Sequence, residues 1–331
     1  MAGRRRKKSG GRSYAWRYRG RIVVCVFVEV IIICALVIMI GWNKGVKEWF
    51  EQFEQPVLKE VDISGINSPN AILMQARGGK ILGEINGEAQ IYPASMTKIM
   101  TVILGIENFD DLDEKITLTD EMFAGLYEQD ATQAGFQPGE EVRVIDLLYG
   151  AMLPSGAECC IALADTISGS EADFAELMNK KARKLGMENT HFCDSTGLHN
   201  PDHYSTVKDI AVLMKYCIKN DTFREIVETS RHSTGVTNIH PDGITYYSTM
   251  FKNLSDPTVT GGKILGGKTG YTSEAGHCLV SFAEIEGREY IFVSAGASGA
   301  DGNTIPHIQD AVTVYNRVGA AIEAKMNDNN K

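Results

Sequence analysis

The sequence predicts an α+β fold, in which one antiparallel sheet of about five strands is flanked by helices and carries a helical insertion. Strand-like segments lie near both ends of the chain, at residues 71–76 and 80–85 and again at 263–270, 278–285 and 289–297. Helical periodicity occupies much of the region between them. Distant strands that enclose a helical region favour a single sheet with the helices packed beside it and a cleft between the two parts.

Composition and charge exclude several classes of protein. The 331 residues are 44% hydrophobic and 23% charged, which is typical of a globular protein with a sizeable core. The net charge of −9 is unevenly distributed, because residues 1–21 hold nine Lys or Arg and no acid. The rest of the chain is therefore strongly acidic and would repel a phosphate backbone, so we expect no nucleic-acid partner for it.

The basic head, residues 1–21, directly precedes an apolar segment at residues 22–41, in which Glu29 is the one charged residue. About 20 apolar residues cross a bilayer, and Lys and Arg on one flank keep that flank in the cytoplasm. We therefore predict a transmembrane anchor at 22–41, with the head cytoplasmic and the following domain extracellular. The alternatives are a cleaved signal peptide, although the segment ends without a small-residue cleavage site, and a nucleic-acid or nuclear-targeting role for the head alone.

Turn residues and spacing set the predicted organisation of the rest of the chain. Residues 42–61 carry aromatic and aliphatic side chains at helical spacing and are predicted to form a stalk. The main domain extends over residues 62–325. Its first two strands are joined by a hairpin at Gly78-Gly79, and its last two by Glu286-Gly287-Arg288. A polar tail is predicted at residues 326–331.

The helices are predicted from apolar spacing and from end signals. A buried helix begins at Pro93 and continues to about residue 106, and another covers residues 141–152, where apolar residues recur at helical spacing. Ser170 caps a further helix, which Gly186 ends. A last helix is predicted over residues 305–324.

Neither the cysteines nor the histidines show the spacing of a metal site. Five cysteines follow the apolar segment, and an odd number leaves at least one outside any disulfide within the chain. We interpret them as small buried residues. The three histidines around Thr196-Gly197-Leu198 match no zinc pattern, so we assign them structural or surface roles. These residues are Cys159, Cys160, Cys193, Cys217 and Cys278, and His191, His199 and His203.

Ser95 and Lys98 form the pair that most strongly suggests chemistry. Three residues apart, they lie on one face of the predicted helix, with the serine in its first turn. The positive end of the helix dipole favours an ionised serine, and burial among apolar neighbours lowers the pKa of Lys98 towards that of a base. Together they predict a nucleophilic hydroxyl beside its own base.

Two further motifs follow in chain order. Ser155 lies on a turn between two predicted helices, and Lys268-Thr269-Gly270 ends a predicted strand, with Tyr271 directly after it. A Ser-x-x-Lys pair, a later serine and then Lys-Thr-Gly is the order found in penicillin-recognising serine enzymes. This order favours catalysis over coincidence.

The resemblance extends beyond these motifs. Segments 93–101, 178–198, 203–206 and 268–272 are similar to those of the low-molecular-mass D-alanyl-D-alanine carboxypeptidases, and the likeness covers residues 62–318. It implies the DD-peptidase/β-lactamase fold and a bacterial membrane enzyme that removes the terminal D-alanine of peptidoglycan stem pentapeptides. The implied partners are the stem peptide and β-lactam antibiotics, which acylate the same serine. No metal or organic cofactor is needed.

The resemblance also implies a role for each motif residue. Ser95 attacks the carbonyl between the two D-alanines, Lys98 takes its proton, and Ser155 passes a proton to the leaving amine. The implied substrate-binding residues are Lys268 and Thr269, which hold the terminal carboxylate, then Gly270, and Tyr271, whose backbone N–H completes an oxyanion hole with that of Ser95.

One departure from the family keeps two alternatives open. Position 157 is Ala, where the family usually has an Asn that orients the lysine and the substrate; Glu158 or a water could replace it. A catalytically weakened cell-wall-binding or regulatory homologue is therefore the first alternative. The second is a β-lactamase, which would need a dedicated deacylating carboxylate; Glu176 superficially suggests one, although packing explains its helix.

Overall fold

The computed structural model describes residues 58–254, 256–299 and 305–329. The predicted head, the apolar segment at 22–41 and the stalk up to residue 57 lie outside the described residues. Leu58 and Val61, at the end of the predicted stalk, are buried in a cluster on one face of the sheet. Among the described residues, no helix is both long enough and apolar enough to cross a membrane.

The central sheet joins strands from the two ends of the main domain. Strand β1 (Asn70–Gln75), at the start of the main domain, pairs with β10 (Arg288–Ala297), near the end of that domain, and every neighbouring pair in the sheet is antiparallel. The predicted assembly from distant segments is thus confirmed. In the order in which they pair, the strands are β2 (Ile81–Ile85), β1 (Asn70–Gln75), β10 (Arg288–Ala297), β9 (Gly276–Ile285), β8 (Gly262–Thr272) and β7 (Thr258–Val259).

The helices and two small hairpins complete the described fold. The hairpins pair β3 (Lys115–Thr117) with β4 (Glu141–Arg143), and β5 (Arg231–Ser233) with β6 (Thr245–Tyr247). The helices are α1 (Lys98–Asn108), α2 (Val144–Met152), α3 (Ala157–Ser168), α4 (Glu171–Leu185), α5 (Val207–Cys217), α6 (Asp221–Glu228), α7 (Thr249–Asn253) and α8 (Pro306–Asn329). Short 3₁₀ helices cover Ala94–Thr97 and Asp120–Phe123.

Each face of the sheet has its own apolar core. Along β1, Ile72 and Met74 belong to the larger cluster, which they share with helices α1 to α6. Ala71 and Leu73 belong to the cluster that includes α8. Because side chains alternate between the faces of a strand, a strand covered on both faces is apolar throughout. The larger cluster supports the segment that carries Ser95 and Lys98.

Three elements differ from the sequence prediction. Residues 141–143 form β4 rather than the start of a helix, because Val142 pairs with Ile116 of β3. The two-residue strand β7 was not predicted, since it is too short to show an alternating pattern. Helix α8 continues to Asn329, past its predicted end at residue 324 and into the predicted polar tail.

The cysteines of the described residues form no disulfide. Four of them are fully buried, as predicted, whereas Cys193 is partly exposed. Burial raises the pKa of the buried thiols, to about 12 for Cys160 and Cys278. They therefore pack as small apolar residues; the buried four are Cys159, Cys160, Cys217 and Cys278.

Candidate functional site

Ser95 and Lys98 meet at the junction between a 3₁₀ helix and α1. Ser95 lies in the 3₁₀ segment Ala94–Thr97, and Lys98 begins the α-helix. In a 3₁₀ turn residues i and i+3 lie one above the other, so Lys98 Nζ comes within 3.0 Å of Ser95 Oγ and donates to it. The structure therefore brings the predicted pair into hydrogen-bond contact.

The lysine of this pair is almost completely enclosed. Only 3% of Lys98 is exposed, and its Nζ also donates to the carbonyl of Thr196 at 2.6 Å. Burial lowers the pKa of Lys98, and Cys160, Asp194, Glu158 and Cys159 oppose that shift. The amine is thus shifted towards its neutral form, which a proton acceptor needs.

Ser155 occupies a strained turn between α2 and α3. Its φ of 73° is in the left-handed region, which non-glycine residues adopt at a cost. The side chain is buried, and Ser155 Oγ has no hydrogen-bond partner among the described residues. A buried hydroxyl without a partner is costly unless a ligand or water satisfies it, so this oxygen is available to a bound molecule.

The residues after this turn show that Glu158 does not take the place of a side-chain amide at position 157. Ala157 is buried and offers only a methyl group, while its backbone N–H donates to the carbonyl of Thr132 at 2.8 Å. Glu158 Oε1 accepts from the backbone N–H groups of Ala134 and Gly135 at 2.6 and 3.0 Å. Burial raises the pKa of the Glu158 carboxyl. Glu158 thus anchors the neighbouring loop, and no hydrogen bond joins it to Lys98 in the described structure.

Strand β8 carries the second lysine of the site. Lys268 is 1% exposed, and its Nζ donates to the carbonyl of Thr269 at 2.9 Å. Burial, together with the positive charge of Lys98, holds the pKa of Lys268 well below its usual range. Strand β8 packs against the 3₁₀ segment that carries Ser95, so the two predicted motifs meet at one site.

The remaining residues of the Lys-Thr-Gly motif pack against the Ser95 segment and α7. A Cβ at Gly270 would lie 3.0 Å from the backbone nitrogen of Ser95, so glycine permits β8 to approach this closely. Thr269 Oγ1 lies 2.7 Å from Thr249 Oγ1. Tyr271 is 61% exposed, and its ring centroid is 4.6 Å from that of His277. The predicted substrate-binding residues thus form one edge of the site.

Two contacts of the site escaped sequence reasoning. The Thr196 carbonyl, which accepts a hydrogen bond from Lys98 Nζ, is a backbone group about 98 positions away along the chain. Thr249, whose hydroxyl contacts that of Thr269, lies 20 residues before it. The Thr196-Gly197-Leu198 segment shows a family likeness, but a backbone carbonyl leaves no side-chain signal. In the described ranges, no group of three His, Cys, Asp or Glu residues could hold a metal ion.

Comparison with known proteins identifies one family. The family model described as D-alanyl-D-alanine carboxypeptidase matches residues 57–299. Similar curated proteins include the D-alanyl-D-alanine carboxypeptidase DacF of Bacillus subtilis, 35% identical over 231 residues, which are 69% of this chain and 57% of that protein. DacC of Escherichia coli is 33% identical over 262 residues, 72% of this chain and 58% of that protein. The chain therefore spans less than three fifths of the length of these two relatives.

A solved structure shows the same fold. The Streptomyces K15 DD-transpeptidase superposes with a TM-score of 0.68 at 29% sequence identity, over 81% of this chain and 99% of that one. The prediction of an α+β DD-peptidase fold with an antiparallel sheet and flanking helices is therefore confirmed. The predicted transmembrane helix lies outside the described residues.

Proposed function

This chain belongs to the D-alanyl-D-alanine carboxypeptidase family, and we propose that it removes the terminal D-alanine from peptidoglycan stem pentapeptides through an acyl-enzyme on Ser95. The observation that carries the proposal is the 3.0 Å contact between Lys98 Nζ and Ser95 Oγ at a buried site. A nucleophile within hydrogen-bond reach of a base with a lowered pKa is the arrangement that acyl transfer needs.

Acylation begins with proton transfer from Ser95 to Lys98. Neutral Lys98 accepts the hydroxyl proton while Ser95 Oγ attacks the carbonyl between the two D-alanines. The developing oxyanion is stabilised by the backbone N–H groups of Ser95 and Tyr271. The close packing of Gly270 against the Ser95 nitrogen supports this placement, since it brings the two backbone segments side by side.

The leaving amine receives its proton from Ser155, whose buried Oγ has no partner of its own in the described structure. Ser155 takes a replacement proton from Lys98, which carries the one removed from Ser95, so Lys98 returns to its neutral form. The terminal carboxylate of the peptide binds at Lys268 and Thr269. A carboxylate there favours the charged form of Lys268, which burial and Lys98 otherwise oppose. Water then hydrolyses the acyl-enzyme and regenerates Ser95. β-Lactams acylate the same serine, and their slow release makes them inhibitors.

Residues 22–41 anchor the enzyme in the bacterial cell membrane in this proposal, with residues 1–21 cytoplasmic and the catalytic domain extracellular. The apolar segment and the nine basic residues before it support this orientation. Protease added to intact protoplasts should digest the domain, whereas full protection would contradict the orientation. Edman sequencing of the mature protein should begin near Met1 rather than beyond residue 41.

Covalent labelling and product release test the catalytic proposal together. Fluorescent penicillin should label the full-length protein, and Ser95→Ala should remove the label; labelling of that variant would place the nucleophile elsewhere. Incubation with a stem pentapeptide should release free D-alanine. Normal labelling without any D-alanine release would favour the catalytically weakened wall-binding homologue, which Ala157 suggests.

A further inference from the structure

Lys98 has two hydrogen-bond partners, and the shorter contact is to a distant loop. Its Nζ lies 2.6 Å from the carbonyl of Thr196 and 3.0 Å from Ser95 Oγ. Since position 157 offers only a methyl group, this carbonyl is the contact that directs the ammonium protons of Lys98. The position of the loop therefore sets the position of the base.

Two carboxylates hold this loop. Glu171 Oε1 accepts from the N–H and the hydroxyl of Ser195 at 3.1 and 2.6 Å, and Asp194 holds the residues that follow. Asp194 Oδ1 accepts from the N–H and the hydroxyl of Thr196, each at 2.8 Å, and from the N–H of Gly197 at 2.6 Å. The turn brings Gly197, with a φ of 80°, so close to Ala94 that a Cβ would lie 1.9 Å from the Ala94 carbonyl oxygen. Asp194 thus holds the turn that presents the Thr196 carbonyl to Lys98.

His203 connects this carboxylate to the segment that carries the nucleophile. Its Nδ1 lies 3.1 Å from Asp194 Oδ2, and its Nε2 lies 2.9 Å from Thr97 Oγ1. Thr97 stands between Ser95 and Lys98 in the chain, and His203 is only 2% exposed. The backbone N–H of Cys193 also donates to His203 Nδ1 at 3.2 Å, so the ring is held from both Cys193 and Asp194. Asp194 is therefore connected to Lys98 in two ways. One runs through the Thr196 carbonyl, and the other runs through His203 to Thr97, the residue before Lys98.

Asp194 also contributes charge at the site. Burial opposes its ionisation, but hydrogen bonding and electrostatic attraction to His203 lower the pKa of Asp194 to about 2. The groups that act on Lys98 are Asp194 from the loop, Glu158, Cys159 and Cys160 from α3, and Lys268 from β8. Ionised Asp194 favours the protonated form of Lys98 and so limits how far burial depresses its pKa.

We propose that Asp194 and His203 are positioning residues for Lys98, which hold the Thr196 carbonyl against the base and keep a negative charge beside it. The proposal rests on the carboxypeptidase function above. It assigns His203 a role at the reaction site, whereas the sequence alone favours a structural or surface role. It also explains how Lys98 is oriented without an amide at position 157.

The first test removes the charge of Asp194 but keeps its shape. In Asp194→Asn the remaining oxygen can still accept from Thr196 and Gly197, while the pKa of Lys98 falls because its anionic neighbour is gone. Acylation by fluorescent penicillin requires neutral Lys98, so the acidic limb of its pH profile should move to lower pH by about one unit. Asp202→Asn is the matched control, since it removes an exposed charge from the same loop. An unchanged limb in Asp194→Asn, or an equal shift in the control, would overturn the proposal.

The second test interrupts the connection to Thr97. His203→Asn keeps a donor for Asp194 but cannot reach Thr97, and Thr97→Val removes the same contact from the other side. Each should slow acylation about tenfold at neutral pH, as expected for the loss of one buried hydrogen bond. His191→Asn, a histidine of the same loop that contacts the carbonyl of Asp202, is the control. Normal acylation by both variants would contradict the proposal.

Thermal unfolding separates positioning from a merely structural role. A structural role would lower the melting temperature of Asp194→Asn with no movement of the acidic limb, and that outcome would reject the proposal. Failure of the proposed function is distinguishable, because wild-type protein would then not be labelled at Ser95 at all. If the wild type is labelled and the Asp194, His203 and Thr97 variants are acylated in the same way as the wild type, only the positioning role is rejected.

Discussion

The two buried lysines of the site occupy contrasting surroundings. Lys98 has a hydroxyl and a carbonyl within hydrogen-bond distance and acidic groups nearby, whereas Lys268 donates to the carbonyl of the next residue and feels the positive charge of Lys98. Burial lowers the pKa of both. These surroundings fit the proposed roles: Lys98 as a proton acceptor beside a nucleophile, and Lys268 as a binding group for an anion, since no carboxylate of the described residues forms an ion pair with it.

The largest expected effect comes from removing the base. Lys98→Met should reduce penicillin acylation and D-alanine release about a thousandfold, because general-base catalysis is worth about 10²–10⁴-fold. In the wild type the acylation rate should rise with pH through the pKa of Lys98, since only the neutral amine accepts the serine proton. Stopped-flow acylation across pH measures both, and a variant that keeps this pH dependence would assign the base to another residue.

A smaller effect is expected at the second lysine, and mainly in binding. Lys268→Gln removes the charge that we propose binds the substrate carboxylate, a contact worth about 1.5–3 kcal/mol, so kcat/KM for the pentapeptide should fall about ten- to a hundredfold. Lys263→Gln, an exposed lysine on the same strand, is the control. If Lys268→Gln left kcat/KM for the pentapeptide intact, the assignment of the substrate carboxylate to Lys268 would be wrong.

Gly270→Ala tests whether β8 must lie in close contact with the segment that carries Ser95. The added Cβ would lie 3.0 Å from the Ser95 nitrogen, so the strand or the nucleophile segment must shift by a few tenths of an ångström. Acylation should slow about tenfold, since small misplacements are costly in catalysis. Gly235→Ala places the new methyl group at an ordinary contact distance, with its nearest neighbour at 3.9 Å, and should leave acylation unchanged. Equal rates for the two variants would argue against the close approach.

The smallest expected change is a gain. Ala157→Asn introduces the side-chain amide that the family usually has at this position, and pentapeptide turnover should stay equal or rise by up to about tenfold if the buried site accommodates it. Free D-alanine measured over time provides the comparison with wild type. A large loss of turnover with an unchanged melting temperature would show that the Thr196 carbonyl and an amide compete for the same lysine.

Strand and helix predictions succeeded where the local pattern had a single interpretation. The hairpins around Gly78-Gly79 and Glu286-Gly287-Arg288 are confirmed because short apolar runs flank turn residues. Residues 141–143 were assigned wrongly, because Val142 fits a helical spacing as well as a strand paired with Ile116. Periodicity over so few residues cannot distinguish the two, and the partner strand decides.

The sequence by itself determined the family, the Ser95–Lys98 pair and the Lys268-Thr269-Gly270 strand, because catalytic side chains at short fixed spacings are local properties of the chain. Only the tertiary structure decided which groups surround the base. The Thr196 carbonyl contacts Lys98, and His203 contacts Thr97, from about 100 residues further along the chain. Asp194 contacts both Thr196 and His203. Their contacts depend on how a loop packs against α1. A backbone carbonyl, or a residue that acts on Lys98 through another residue, produces no recognisable sequence pattern.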